Sequence, residues 1–327
     1  MTVHSPIRLG LLGCADIAWR RTLPAATAEP GLRLVAVASR SPARAQRFAD
    51  RFGCAAESGY DSLLRRDDID AVYVPLPAGL LPRWVGAALD AGKHVLAEKP
   101  LGTTEQEAND LVDRAATRGL VLMENAAFLL HGQHRAIQAM LAAGEIGELR
   151  TVNSLYGIPP LPADNIRYRG ELGGGALLDL AFYPLRTAYL FLGPDLRVVG
   201  ANLRTGESGV DVAGSALLAN AGGTTACVSF GFEHFYRGEY ELWGSNGRLT
   251  LTRAFTPPPA HCPVVRLDRQ GQTETRILAA EDQFAALVRG FATAVVEGRI
   301  PRKHHDEVVA RARLVDEIRQ HATTAVL

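Results

Sequence analysis

The first 125 residues alternate between short, continuous apolar runs and helix-like stretches, and that order leaves few folds open. The runs are Ile7–Leu12, Leu32–Ala38, Ala71–Val74, His94–Ala97 and Val121–Met123. Their continuity suits strands buried on both faces. Ser41 before Pro42 reads as an N-cap followed by proline at the first helical position. Thr104, with Glu107 three residues on, reads as a capping box. Strand, helix, strand in repetition predicts an α/β fold with a parallel, doubly wound sheet.

After Glu124 the pattern changes. Gln133–Ala143 reads as a helix stopped by Gly144, and Leu149–Leu155 as a strand. A Pro-rich stretch covers residues 157–162, and Ala176–Leu192 reads as one helix following Gly173-Gly174-Gly175. From Val198 to Leu267 strands alternate with Gly and Asn turns, Asn246-Gly247 being a hairpin signal. Asp282–Val296 and Asp306–His321 read as helices. The expected organisation is a dinucleotide-binding domain over residues 1–125 and an α+β domain over 126–327, built on a large, mostly antiparallel open sheet.

Composition narrows the partners. The 327 residues carry 35 Lys+Arg against 35 Asp+Glu, and 47% are hydrophobic. Disorder does not fit, and a chain without net charge argues against nucleic acid or an anionic membrane surface. No apolar run approaches the roughly 20 residues of a membrane span. Residues 1–8 lack a signal peptide's basic start, apolar stretch and cleavage site. Cys14, Cys54, Cys227 and Cys262 are scattered, which suits reduced thiols in a cytoplasmic protein and neither a disulfide framework nor a zinc site.

The run Ile7–Leu12 leads into Gly13-Cys14-Ala15-Asp16-Ile17-Ala18 and then a helix. The spacing is that of G-x-G-x-x-G, with Ala in the second and third places. Small residues allow a tight turn and close backbone approach to a pyrophosphate seated at the helix N-terminus. About 20 residues on, where a carboxylate would hold an NAD ribose, stand Ser39 and Arg40, with Arg44 a helical turn later. A hydroxyl and guanidinium groups suit a 2′-phosphate, so the expected cofactor is NADPH/NADP+. The alternative is a capping Ser39 beside a solvated Arg40. Leu76 and Pro77, beyond the run Ala71–Val74, join the expected cofactor contacts, as does Glu98.

His94–Ala97 leads into Glu98-Lys99-Pro100. Ligands of such sheets bind beyond the carboxyl ends of strands, so Lys99 is placed to reach a nicotinamide and to stabilise the alkoxide formed on hydride addition. Asp179 and Tyr183 stand four apart on the expected helix Ala176–Leu192 and would share a face. A tyrosine hydroxyl can donate the proton a reduced carbonyl needs. On local pattern alone, Tyr183 reads as a core or rim side chain.

Taken together, Gly13–Ala18, Glu98-Lys99-Pro100 and Gly173–Asp179 followed by Tyr183-Pro184 resemble the glucose–fructose oxidoreductase/inositol dehydrogenase/MocA family, over Ile7 to about Leu251. The resemblance implies a Rossmann domain followed by an α+β domain whose open sheet forms homodimer or homotetramer contacts. It makes Lys99 the active-site lysine, with Tyr183 where many members have histidine. Residues 14–24, Ile158-Pro159-Pro160 and Asn165-Ile166-Arg167-Tyr168-Arg169 look like the dTDP-sugar 3-ketoreductases of deoxysugar biosynthesis. That likeness implies reduction, with NADPH, of the C3 keto group of a dTDP-3,4-diketo-2,6-dideoxy-hexose. Departures from the family pattern are Leu80-Leu81, where many members carry a histidine, and Glu124–Phe128 in place of a more aromatic run.

Arg167 and Arg169 are candidate contacts to a nucleotide diphosphate or, alternatively, solvated loop residues; Asn165, Tyr168 and His131 complete the expected substrate set. His131 and His134 lack a third metal ligand and read as surface or pocket-wall side chains, and His304-His305 as solvated. Three rival readings remain open: a dehydrogenase of a free sugar or diol, a non-catalytic NADP-sensing protein, and a hydrolase of the same family that retains its NAD through the cycle.

Overall fold

The computed structural model describes residues 5–326; residues 1–4, half of the stretch read above for a leader, and Leu327 lie outside the described residues. The chain divides into two compact units, Met1–Ala127 with Phe284–Val308, and Phe128–Gln283 with Val309–Leu327. A single break after residue 125 does not describe this division, because a late segment returns to the first unit.

The first unit is built on a parallel six-stranded sheet of order β3-β2-β1-β4-β5-β6. Its strands are β1 (Ile7–Leu12), β2 (Leu32–Ser39), β3 (Ala55–Ser58), β4 (Ala71–Val74), β5 (His94–Ala97) and β6 (Leu122–Glu124). Every side chain of β4 is buried, as a central parallel strand requires. The connecting helices are α1 (Leu23–Ala28), α2 (Pro42–Phe52), α3 (Tyr60–Leu64), α4 (Leu81–Asp90) and α5 (Glu105–Thr117). A π-helical turn, Ala18–Thr22, precedes α1. Pro24 is the second residue of α1, and a widened turn accommodates a residue that cannot donate to the fourth carbonyl back. Ser41 caps α2 by accepting from the Arg44 N–H. Thr104 accepts from the Glu107 N–H, but the Glu107 carboxylate reaches back to Thr103, bonding its N–H and hydroxyl at 2.8 Å each. Only half of the expected capping box therefore forms. Helix α9 (Gln283–Glu297) contributes Leu287, Val288, Phe291 and Ala292 to the core that Ile7, Leu9, Leu23 and Leu32 build.

His304 and His305 correct the solvated reading. They open α10 (Arg302–His321) and lie against β6, the edge strand of this sheet. The His304 ring accepts from the Glu124 N–H at 3.0 Å, and the His305 ring bonds the Leu122 carbonyl at 3.1 Å. Imidazoles thus satisfy backbone groups that an edge strand otherwise leaves open.

The second unit carries a nine-stranded sheet of order β14-β13-β12-β11-β7-β10-β9-β8-β15. The strands are β7 (Leu149–Gly157), β8 (Arg197–Thr205), β9 (Asp211–Ala219), β10 (Thr225–Gly231), β11 (Arg237–Gly244), β12 (Gly247–Leu251), β13 (Val264–Arg269), β14 (Gln272–Ile277) and β15 (Ala322–Val326). β7 pairs with β10, and β8 with β15, in parallel; the other neighbours are antiparallel. Asn246-Gly247 does turn the β11–β12 hairpin. Strand alternation buries Val152 and Tyr156 of β7 and Val228 and Phe230 of β10. Together with the later part of α10, helix α6 (Gly132–Ala142) and two further helices complete the unit.

Those two correct the expectation of one helix. The segment is α7 (Ala176–Asp179) and α8 (Phe182–Leu192), broken at Leu180-Ala181. Pro184 is the cause: a continuous helix would press its ring on the Leu180 carbonyl and lack a donor for it. Instead the Leu180 carbonyl takes the Tyr183 N–H, one residue early, at 3.3 Å. Asp179 and Tyr183 therefore sit on separate helices, and the shared-face argument does not apply to them.

Candidate functional site

In the first unit, the turn after β1 is shaped for close backbone approach. Gly13 has φ of +115°, and a Cβ there would lie 2.6 Å from Leu76 Cδ2. Only glycine fits both constraints. Its N–H bonds the Ala38 carbonyl at 3.0 Å, tying the turn to the end of β2. Cys14 follows with its thiol buried and facing the same carbonyl; burial pushes that thiol up to about 11. Ala15, Asp16 and Ile17 then lead into the helix, where Asp16 pairs with Arg20 at 2.6 Å.

Beside this turn an open groove of about 700 Å3 runs between Asp16, Trp19 and Arg20 on one side and Ser41, Arg44 and Arg47 on the other. Ser39 is buried at the end of β2, and its hydroxyl accepts from the Ser41 N–H at 3.2 Å. Arg40 and Arg44 lie within charge reach of the Tyr60 hydroxyl at the start of α3, whose acidity is governed first by burial. A tight turn leading into a helix and a cluster of cations at the end of β2 fit a dinucleotide with a 2′-phosphate. Pro77, one residue past Leu76, caps a short turn, Ala78–Leu80, that leads into α4.

At the end of β5, Glu98 is held by a chain of hydroxyls. Thr22 donates to the Tyr73 hydroxyl at 3.0 Å, and Tyr73 donates to Glu98 at 2.5 Å. The Asn125 amide donates to the same oxygen, also at 2.5 Å. Burial holds the Glu98 carboxyl above the usual carboxylate range; the Tyr73 bond and the Lys99 charge oppose this. Lys99 follows, its peptide bond to Pro100 in the cis form. The buried Glu124 carboxylate accepts from the Leu101 N–H at 2.8 Å and fixes the chain just beyond. Asn125 and Glu124, on the adjacent strand end, are supports that local pattern did not reveal.

In the second unit, two motifs that lie apart in the sequence form one structure. Gly175 donates to the Arg167 carbonyl at 2.9 Å, and Gly174 to the Arg169 carbonyl at 3.0 Å. A Cβ on Gly174 would lie 2.5 Å from the Arg167 oxygen. The glycines are there to let the 165–169 loop seat directly on the start of α7. Asn165 caps that loop by accepting from the Arg167 N–H at 3.1 Å, and the Tyr168 hydroxyl accepts from the Leu161 N–H at 3.2 Å. Arg167 donates through Nε to Asp179 at 2.6 Å, and Arg169 pairs with Glu171, both exposed, at 2.6 Å.

Tyr183, at the start of α8, is ringed by Tyr156 at 4.8 Å, Phe128 at 5.2 Å, Phe255 at 5.3 Å and Phe182 at 5.4 Å. Asp211, which local pattern also missed, enters from β9. Its carboxylate accepts from the Leu177 N–H at 2.6 Å, and a Cβ on Gly175 would lie 2.4 Å from its other oxygen. It serves as the cap of α7 from 34 residues away. Burial moves its carboxyl up to about 6.

The surface or pocket-wall reading of His131 and His134 is corrected, since both are buried. His131 caps α6 by accepting from the Gln133 N–H at 3.2 Å. His134 bonds the Tyr240 hydroxyl at 2.9 Å, and burial drives its ring down to about 3, so it stays neutral. Among the described residues no group of three or more His, Cys, Asp or Glu is arranged for a metal ion. No described helix is long and apolar enough to cross a membrane.

The family described as "Oxidoreductase family, NAD-binding Rossmann fold" matches residues 7–126, and the "GFO/IDH/MocA C-terminal domain" matches residues 134–250. The chain belongs to the GFO/IDH/MocA oxidoreductase family. A relative from Actinomadura kijaniata, named dTDP-3,4-didehydro-2,6-dideoxy-alpha-D-glucose 3-reductase, is 52% identical over 97% of this chain and 96% of its own. A D-xylose 1-dehydrogenase (NADP(+)) from Haloferax volcanii is 36% identical over 96% of this chain and 97% of its own. Among solved structures, KijD10, a 3-ketoreductase from Actinomadura kijaniata in complex with NADP and TDP-benzene, superimposes with a TM-score of 0.97 at 51% identity, covering 98% of this chain and 99% of that one. Membership accounts for the parallel sheet with its glycine turn and for the large mixed sheet, the two expectations of fold made above.

Proposed function

We propose that this protein is an NADPH-dependent sugar 3-ketoreductase that reduces the C3 keto group of a dTDP-3,4-diketo-2,6-dideoxy-hexose in deoxysugar biosynthesis. The observation that carries this reading is identity of about half, over nearly the whole length, to relatives bearing the 3-reductase name. NADPH, when bound, supplies the hydride. Gly13 to Ile17 would hold its pyrophosphate, Arg40 and Arg44 its 2′-phosphate, and Leu76, Pro77 and Glu98 would line the cofactor's path.

The catalytic roles are proposed for three side chains. Lys99 polarises the carbonyl oxygen and stabilises the charge that develops on it. Tyr183 gives its hydroxyl proton to that oxygen. Asp179 orients the groups around the phenol. Variants of KijD10 with a lysine replaced by alanine or glutamate, and with a tyrosine replaced by phenylalanine, have been solved with NADP and TDP-benzene, which supports attention to these two residue types. The bonds of Asn165 and Tyr168 to backbone N–H groups and the burial of His131 favour structural work for those three, which leaves Arg167 and Arg169 as candidates to meet the dTDP diphosphate.

The 36% identity to a xylose dehydrogenase keeps oxidation of a free sugar as the second reading. NADPH consumption with a dTDP-linked 3-keto sugar, set against NADP+ reduction with free sugars, separates the two. Tyr183→Phe should lower turnover by roughly 10²- to 10⁴-fold with NADPH binding little changed; equal turnover rejects the assignment.

One face of the nine-stranded sheet presents Leu217, Cys227 and Trp243, all exposed, and the registers place them on the same side. That face supports self-association as a homodimer or homotetramer. Cytoplasmic residence accords with the cysteines, none of which is paired.

A further inference from the structure

We infer that Arg167 is a positioning residue for the Tyr183 phenol: it fixes the Asp179 carboxylate and keeps a permanent positive charge beside the hydroxyl that releases its proton. The inference rests on the reading of Tyr183 as proton donor and goes beyond it, because it removes Arg167 from the nucleotide-binding set.

Three observations carry it. First, the backbone of Arg167 is clamped at both ends. Its N–H bonds Asn165 Oδ1 at 3.1 Å, its carbonyl accepts from Gly175 at 2.9 Å, and Gly174 approaches too closely to be any larger residue. A side chain on so fixed a stem loses little further freedom in holding one direction. Second, that direction is taken: Nε meets Asp179 Oδ2 at 2.6 Å, a charge-assisted bond to a mostly buried carboxylate. Turning the guanidinium away from this partner would strand the Asp179 charge, so the pairing sets the direction of the side chain. Third, the guanidinium acts on two phenols. Its own proton is held more tightly by Asp179 first, then by Tyr183 and Tyr156. The two rings meet edge to face at 81°.

The surroundings explain why such a charge matters. Phe128, Phe182 and Phe255 enclose the Tyr183 ring, and none carries charge. An apolar enclosure opposes formation of a phenolate. Of the charged and titratable groups in this unit, Arg167 acts on Tyr183 and Tyr156 and is held by Asp179, Tyr236 and Arg253 lie behind Tyr156, Arg311 lies over Phe182, and the neutral His134 lies against Phe128. Asp179 alone would make proton release harder still. Arg167 neutralises it, and because an arginine does not deprotonate in proteins, its contribution persists at every working pH.

The test is the pH profile of turnover with NADPH and a dTDP-linked 3-keto sugar. Arg167→Met should move the alkaline limb upward by about one pH unit or more and lower turnover near neutrality by roughly tenfold, with the KM for the sugar nucleotide within about threefold of the parent. Arg167→Lys, which keeps a charge, should restore most of the limb's position. A double variant, R167M/D179N, removes both charges together and should place the limb between those of the parent and Arg167→Met; it also decides the matter should Arg167→Met fail to fold. A KM raised tenfold or more with the limb unmoved would make Arg167 a diphosphate ligand and overturn the inference. Tyr183→Phe, run alongside, must abolish the limb. If the limb survives there, Tyr183 is not the donor and the inference falls with that reading, by a result distinct from any given by the Arg167 variants.

Discussion

Replacing Asp211 by asparagine isolates one buried charge. The side chain keeps its size and an oxygen that can accept from the Leu177 N–H, so the cap on α7 survives. What disappears is the ionisation. Burial moves the Asp211 carboxyl from 3.8 to about 6, against the opposing pull of the Leu177, Asp211 and Ala176 N–H groups and of Arg319. Since the folded value exceeds the unfolded one, the linked contribution to stability is complete below 3.8 and is lost as pH rises through 6. At 1.36 kcal/mol per pKa unit the full loss is about 3 kcal/mol, of which about 2 kcal/mol falls between roughly pH 4.5 and 7.5. Asp211→Asn does not suffer that loss, so its stability relative to the parent should rise by about 2 kcal/mol across the interval. Urea unfolding of both proteins at the two pH values measures the difference. A stability gap that stays constant between them refutes the placement of an ionisable, desolvated carboxylate at this helix start. Asp211→Ala is a control of opposite sense: it strands the Leu177 N–H and should cost about 1–3 kcal/mol at either pH.

Three further outcomes are expected. Gly13→Ala forces a side chain into φ +115° and onto Leu76, so it should weaken NADPH binding and lower stability by about 1–3 kcal/mol, measured by fluorescence titration and thermal unfolding. Arg40→Ala should reduce the preference for NADPH over NADH in kcat/KM by roughly 10- to 100-fold, the worth of a charged hydrogen bond to the 2′-phosphate; an unchanged ratio assigns discrimination elsewhere. Cys14, with its thiol pushed up to about 11, should react with iodoacetamide far more slowly at neutral pH than the exposed Cys227 and Cys262, as peptide mass analysis would record.

Much of the first unit was legible because its strands are buried on both sides. β1, β4 and β5 occupy the spans their apolar runs mark, and Gly13 reports its own unusual dihedral. β3 escaped notice because three of its four residues are exposed and none of the four is a large apolar residue. β15, Ala-Thr-Thr-Ala-Val, is a strand only because β8 offers it an edge. The break between α7 and α8 was encoded by Pro184, yet apolar periodicity across the segment masks it.

The site divides in the same way. Gly13 and Lys99 stand out as candidates because each belongs to a short motif at a strand end, and Tyr183 because it follows the Gly-rich helix start of the family pattern. The work of Arg167 and Asp211, and of His304 and His305 on the edge of β6, was not readable. Their partners lie 12, 34 and about 180 residues away. Sequence by itself determined backbone preferences and buried periodicity, which act over a few residues. Only the tertiary structure decided which charge meets which, because a hydrogen bond needs its partner within about 3 Å whatever the separation along the chain.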